Sequence, residues 1–254
     1  MAAMEWSQAD QELQNNMLEE VVKRIVHKTA EQISTLAIFD LDGTLFDNRT
    51  RTMFILREIS EKHGDQLPQL IAAFDDFRDL SIVEYSLSDT LTKLAITDRW
   101  EREFITKEWE KRFFTDEYQI FDLPLQGAKS YVSRIHEAGA TIIYLTGRDV
   151  DRMLVGTTES LRLFGFPVGI VGTMMIVKRE FEEKDEIFKR DVVSYLKRLG
   201  QVEAIFENEP MNSNVLAKGF PEATSFLVLT QHRPDAPPLD RGIYRLKDFR
   251  IRKG

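Results

Sequence analysis

The feature that most restricts how this chain can fold is the apolar run Leu36-Ala37-Ile38-Phe39, which leads directly into Asp40-Leu41-Asp42-Gly43-Thr44-Leu45-Phe46. A run this short, rich in β-compatible residues and closed by a glycine, predicts a buried strand. Its two carboxylates stand two residues apart. In extended backbone that spacing puts Asp40 and Asp42 on one face, and Gly43 lets the chain turn sharply beside whatever they bind. Two carboxylates so close favour a divalent cation. Unlike surroundings can also split their pKa values, so that one serves as nucleophile and the other as acid and base. The plain alternative is an Asp-rich turn with no chemistry. A calcium loop would need a third ligand before the glycine and a helix in front, where this chain has an apolar strand.

With 254 residues, 43% hydrophobic and 30% charged, the chain can build one sizeable core with room for a second small unit. It has no cysteine, hence no disulfide framework, which suits a reducing compartment. A net charge of -8 gives no overall field that would recruit nucleic acid. Glu5 and Asp10 fall where a secretory leader would be basic and then apolar, and no apolar run reaches membrane-spanning length. The expectation is a cytoplasmic protein without a membrane partner.

From Ser7 to Ile33, Leu13, Met17, Leu18, Val21, Val22, Ile25 and Val26 recur at helical spacing among charges. This predicts an amphipathic helix. Packing on its own domain is preferred to a dimerising arm, because an apolar stripe is usually core. Residues 49–121 lack an alternating strand and predict helices over Arg51 to Lys62, Leu67 to Asp79, Ile82 to Leu94 and Asp98 to Phe114, the last with Asp98 as N-cap. After Pro124 a helix from Ala128 to Glu137 leads to a second buried strand, Ala140 to Leu145, ending in Thr146-Gly147-Arg148-Asp149. A helix from Val150 to Phe164 follows, then a strand within Val168 to Val177, and a long helix opening at Lys178 and running to Gly200. The strand Val202 to Phe206 ends in Glu207-Asn208-Glu209-Pro210, and further strands cover Ser225 to Thr230 and Ile243 to Leu246. Strand, helix and strand in alternation imply a parallel sheet with right-handed crossovers.

Asp-Xaa-Asp-Gly-Thr at residues 40 to 44 resembles the first motif of the haloacid dehalogenase superfamily, most of whose members are magnesium-dependent phosphatases acting through an aspartyl-phosphate. Three later stretches are similar to the other motifs. Thr146 ends an apolar strand, as in the second motif; with Gly147 and Arg148 it would hold the phosphate, although Arg148 could equally be a solvated surface charge. The family places a lysine near the start of the helix before the fourth motif. Lys178, Lys184 and Lys189 compete for that place, and Lys189 is preferred because Asp185 and Lys189 share a helical face, an arrangement similar to polynucleotide kinase-phosphatases. Glu207 and Asn208 stand where the fourth motif normally carries aspartates, and either would offer oxygen to the metal.

The resemblance implies an α/β fold with a Rossmann-like parallel sheet. The expected division is an N-terminal helix over 1–33, a core over 34–48 and 122–254, and an inserted helical cap over 49–121 that chooses the substrate, a role that changing Phe74, Phe77 or Tyr85 to Ala would test. The implied activity is Mg2+-dependent hydrolysis of a small phosphorylated metabolite. Asp40 would be nucleophile, Asp42 acid and base, Lys189 the cation that offsets charge, and Asp40, Asp42, Glu207 and Asn208 the metal site. The alternatives are a nucleic-acid end-healing phosphatase, opposed by the acidic chain, and a protein that binds phosphorylated ligands without turnover. A dehalogenase is disfavoured because such family members generally lack the second aspartate, present here as Asp42.

Overall fold

Alternation along the first strand sets the layers of the molecule. The computed structural model describes residues 6–73 and 79–252. β1, Thr35–Phe39, is buried at all five positions. Ala37 and Phe39 enter one apolar core, while Leu36 and Ile38 enter another on the opposite face. A strand buried on both sides belongs in the middle of a parallel sheet.

The remaining strands are β2, Phe46–Asp47; β3, Leu123–Pro124; β4, Thr141–Asp149; β5, Thr173–Lys178; β6, Gln201–Glu207; β7, Thr224–Val228; and β8, Tyr244–Leu246. Six of them form a parallel sheet in the order β5-β4-β1-β6-β7-β8, and β2 pairs antiparallel with β3. In register across three neighbouring strands, Phe39, Phe206 and Phe226 stack with ring centroids 4.6 and 4.8 Å apart, the spacing of the strands themselves.

α1, Gln8–Ala30, lays Leu18, Val21, Val22 and Ile25 into the first core beside α6, Ala128–Glu137. Arg24 and Lys28 from α1 also pair with the buried Glu203 of β6. The N-terminal helix is therefore packed on the sheet. The opposite core is closed by α8, Asp185–Leu196, and α9, Pro210–Gly219, through Phe188, Leu196 and Leu216. α7, Val150–Leu163, follows β4 and is capped by the Asp149 carboxylate, which accepts from the Arg152 N–H.

Between β2 and β3 the chain builds α2, Arg49–His63; α3, Pro68–Ala72; α4, Leu87–Lys93; and α5, Arg99–Phe113. They surround an apolar core of their own that includes Ile55, Leu56, Ile59, Leu70, Leu91 and Ile105. Asp98 caps α5 by accepting from the Glu101 N–H.

Three segments differ from the sequence expectation. The helix expected to open at Lys178 begins only at Asp185, because Lys178 closes β5 and its ammonium donates to the carbonyls of Phe181 and Glu183, holding a loop instead. The helix expected from Ile82 begins at Leu87, where Ser86 supplies the cap. Of the one expected over Leu67 to Asp79, Pro68–Ala72 is helical, and residues 74–78, including Phe74 and Phe77, lie outside those described.

Candidate active site

Strand order brings the chemistry together. The chain runs from β1 outward through β4 and β5, then returns to place β6 on the other side of β1. The carboxyl ends of β1 and β6 therefore flank the point where connections diverge to opposite sides, the crevice in which open α/β sheets bind ligands. Asp40 follows β1 and Glu207 ends β6. Lys189 reaches up from α8 between them, its Nζ donating to Asp40 Oδ1 at 2.7 Å and to Glu207 Oε2 at 2.5 Å.

All three side chains are buried. Burial would lower the Lys189 ammonium, but the charges of Asp40 and Glu207 outweigh it and hold the ammonium above its ordinary value. Burial, then the charge of Glu207, pushes the Asp40 carboxyl up to about 8 against the pull of Lys189. Burial raises Glu207 as well. Two carboxylates and one ammonium leave one negative charge that a proton or a cation must neutralise. The other Glu207 oxygen accepts from the N–H groups of Asn208 and Glu209, which fixes the carboxylate at the strand end.

Asp42 has a different environment. Arg148 grips it with two prongs, Nε to Oδ2 at 2.8 Å and Nη2 to Oδ1 at 2.9 Å, and Arg51 Nη2 adds a contact to Oδ1 at 3.0 Å. The same guanidiniums share the fully buried Asp122, Arg51 through Nε and Nη2 and Arg148 through Nη2. Burial would raise the Asp42 carboxyl, but the two guanidiniums hold it far below the usual carboxylate range. Neighbouring carboxylates at 40 and 42 are thus driven in opposite directions: Asp42 stays ionised unaided, whereas Asp40 needs a further cation beside it to ionise near neutral pH.

Of the residues expected at the phosphate, Gly147 borders the cavity, whereas Thr146 is fully buried and its Oγ1 accepts from the Arg148 N–H at 3.3 Å. Arg148 is also buried, its guanidinium engaged with Asp42, Asp122 and Thr157 Oγ1. Among the competing lysines, Lys178 pairs with Asp185 at 3.0 Å, and Lys184 precedes the first residue of α8. Asn208 turns toward the first loop. Its Oδ1 accepts from Thr44 Oγ1, and its Nδ2 donates to the Gln231 carbonyl at 2.8 Å. Gly43 has φ +73°, and a Cβ there would stand 2.3 Å from Asn208 Nδ2, so only glycine fits between the two loops.

Sequence reasoning did not single out Arg51 or Asp122. Arg51 lies on the first turn of α2 and reads as one more surface arginine, and Asp122 precedes β3 with no motif around it. Only the β2–β3 pairing, which closes the insertion, brings both beside Asp42.

These residues floor a cavity of about 720 Å3, roofed by Thr52, Val83, Tyr85, Trp109, Phe113 and Phe114 from the insertion. Gln231 Nε2 donates to the Val83 carbonyl at 2.5 Å, and Tyr85 bonds Glu209, so sheet and insertion meet at both points. The volume lies within the range typical of small-molecule sites.

Asp40 and Glu207, both in contact with one ammonium, present hard oxygen donors with surplus negative charge. That set suits Mg2+. Among the described residues no three His, Asp or Glu side chains gather as a metal cage, so such an ion would take its other oxygens from backbone or water.

Comparison with known proteins agrees with this geometry. A model of the haloacid dehalogenase-like hydrolases matches residues 35–173, and no curated protein matches the chain. Among solved structures it resembles an inferred phosphatase from Clostridium difficile, with 14% identity over 80% of this chain and 89% of that one, TM-score 0.51. It also resembles Protein Tyrosine Kinase A from Mycobacterium tuberculosis, with 16% identity over 84% and 94%, TM-score 0.51. At such identities these two establish the fold alone. The family match, which spans more than half of the residues and begins on the strand that delivers Asp40, places the chain among the haloacid dehalogenase-like hydrolases.

Proposed function

We propose that this hydrolase is a Mg2+-dependent phosphomonoesterase that works through a phosphorylated Asp40. The observation that carries the reading is the buried Asp40–Lys189–Glu207 chain at the floor of a roofed cavity. An Asp40 oxygen attacks phosphorus, the bond from phosphorus to the ester oxygen breaks, and the departing alkoxide takes its proton from water, because Asp42, expected from the sequence as the acid, is held ionised. Water then attacks the same phosphorus, the bond to Asp40 breaks, and phosphate leaves. Lys189 offsets charge on the phosphoryl oxygens throughout. Asp42, held as a carboxylate by Arg148 and Arg51, is suited to take the proton of the attacking water. Bound Mg2+ would be held by Asp40 and Glu207 with the Asp42 carbonyl, and would supply electrostatic stabilisation of the same oxygens. Asn208 braces the loop that follows Asp42. Arg148 acts as a positioning residue for Asp42, with Thr146 and Gly147 forming the backbone beneath the phosphate.

The roof, residues 49–121, acts as a cap that excludes water from the acyl-phosphate and selects a small phosphorylated substrate over a polymer end. Phosphate release from phenyl phosphate, a simple phosphomonoester, tests the reading, measured with Mg2+, with chelator, and in Asp40→Asn. Turnover with Mg2+ that disappears in the other two conditions is the expected result. Undiminished turnover by Asp40→Asn would exclude the mechanism.

A further inference from the structure

From the wall of the same cavity we infer that the preferred substrate is the phosphomonoester of an uncharged aromatic alcohol, with its ring seated against Trp109, Phe113, Phe114 and Phe181. The inference rests on the phosphomonoesterase reading and narrows it to one class of leaving group.

The four rings form a continuous panel. Trp109 stacks on Phe113 with centroids 4.2 Å apart, Phe113 meets Phe114 edge-on at 5.0 Å, and Phe114 meets Phe181 edge-on at 4.9 Å. All four line the cavity. Trp109 and Phe113 come from α5, Phe114 follows it, and Phe181 belongs to the loop after β5, so insertion and sheet each supply part of the wall.

The panel is held before any ligand arrives. Trp109 Nε1 donates to Thr52 Oγ1 at 3.3 Å, the Arg152 guanidinium lies 3.6 Å from the Phe181 centroid, and the Phe181 carbonyl accepts from Lys178. Rings already fixed lose little freedom when a flat partner docks. The panel also lies on the side where the alcohol would depart. The Arg51 guanidinium that touches Asp42 lies 4.3 Å from the Phe113 centroid, which ties the rings to Asp42 rather than to the far side of Asp40.

Charge in the wall excludes the main alternatives. Among the described residues, every Lys or Arg that lines the cavity is matched to a carboxylate: Arg49 to Asp47, Arg51 and Arg148 to Asp42 and Asp122, Lys178 to Asp185, and Lys189 to Asp40. Among those described residues carboxylates outnumber cations in the lining, with Glu84 and Glu209 on the carboxylate side. A leaving group with a second phosphate or a carboxylate would meet repulsion and no unmatched cation. A flat uncharged group loses nothing to these charges and gains ring contacts beyond burial.

The test is calorimetric binding to the native full-length protein with Mg2+. Benzylphosphonate, in which a methylene replaces the ester oxygen of phenyl phosphate, is compared with methylphosphonate and 3-phosphonopropionate. Benzylphosphonate is expected to bind about tenfold tighter than methylphosphonate, the equivalent of one or two ring contacts, and 3-phosphonopropionate weakest. Trp109→Ala should erase most of the preference. Phe114→Leu keeps an apolar side chain without the ring, so a reduced preference with an unchanged melting curve reports the ring and not the fold. Equal binding of benzylphosphonate and methylphosphonate would overturn the inference, as would a preference that survives both substitutions. Phenyl phosphate, a phosphomonoester that carries the ring, separates the two readings. If it is not hydrolysed while the phosphonate preference holds, the aromatic site stands and the hydrolytic reading falls; if it is hydrolysed with no phosphonate preference, the hydrolytic reading stands alone.

Discussion

At the scale of single residues, the unusual feature is that two carboxylates two positions apart are managed so differently. Asp40 sees one ammonium shared with a second buried carboxylate, whereas Asp42 is enclosed by two guanidiniums that also serve Asp122. The second arrangement is balanced in charge, and its Arg51, Arg148 and Asp122 are buried while Asp42 stays partly open to the cavity, so removing one member strands the others. Arg148→Ala is expected to cost ~3–5 kcal/mol, the penalty for leaving buried carboxylates without their partner, in urea unfolding followed by circular dichroism. A loss below ~1 kcal/mol would mean that water replaces the guanidinium. Glu207→Gln keeps the shape and removes the charge. It is expected to raise the Mg2+ concentration needed for half-maximal activity about tenfold or more, since a hard cation loses a charged oxygen; an unchanged requirement would move the metal away from β6. The Asp40 and Asp42 pair was legible in the sequence because the chemistry is local. Arg51 and Asp122 were not, because they are 71 residues apart and neither has a distinctive neighbour.

At the scale of elements, two contacts decide whether the site is assembled. The first is α1 against the sheet. Leu18 is fully buried in the core shared by β1 and β6, so Leu18→Ala should destabilise the protein by ~2–5 kcal/mol, read as a lowered midpoint of chemical unfolding. A change under ~1 kcal/mol would show that α1 can leave without disturbing the core. The second contact is the latch between Gln231, in the loop after β7, and the carbonyl of Val83 in the insertion. Gln231→Ala frees that carbonyl and should weaken closure. The expected result is a higher KM for a small phosphomonoester together with faster attack on bulky ones, so that selectivity falls. If both constants stay as they were, the insertion closes by other contacts. Neither pairing follows from periodicity: an apolar stripe indicates that a helix is buried, and the sheet decides against what.

For the whole molecule, the surplus charge at the end of β1 links metal, pH and stability. The folded Asp40 carboxyl is raised to about 8, while the unfolded one titrates near ~4. Between these values the folded state binds more protons than the unfolded one. Its stabilising contribution is therefore complete below ~4 and is lost as pH rises through the folded value. Without metal, the melting temperature should fall between pH 6 and pH 9. Mg2+ replaces the proton as the neutralising charge, so its stabilising effect should grow over the same range. A Mg2+ shift that is the same at both pH values would place the cation away from Asp40. Among the described residues no helix is long and apolar enough to cross a membrane, and the net charge of -8 is spread over sheet and insertion alike.

What the sequence determined by itself is what depends on neighbours along the chain: the strand that ends in Asp40, the alternation that buries it on both faces, the parallel α/β order, and the i, i+4 step that sets Lys189 one turn beyond Asp185. The start of α8 was misread because a charge-rich segment carries helical spacing whether or not a lysine is diverted to tie a loop. Only the tertiary structure decided which of three lysines reaches the carboxylates, that Arg148 turns to Asp42, and that four rings from two parts of the chain make one wall. Burial and pairing of charge are properties of assembled surfaces, and the energies that select among solvated lysines and arginines appear only once water has been removed from around them.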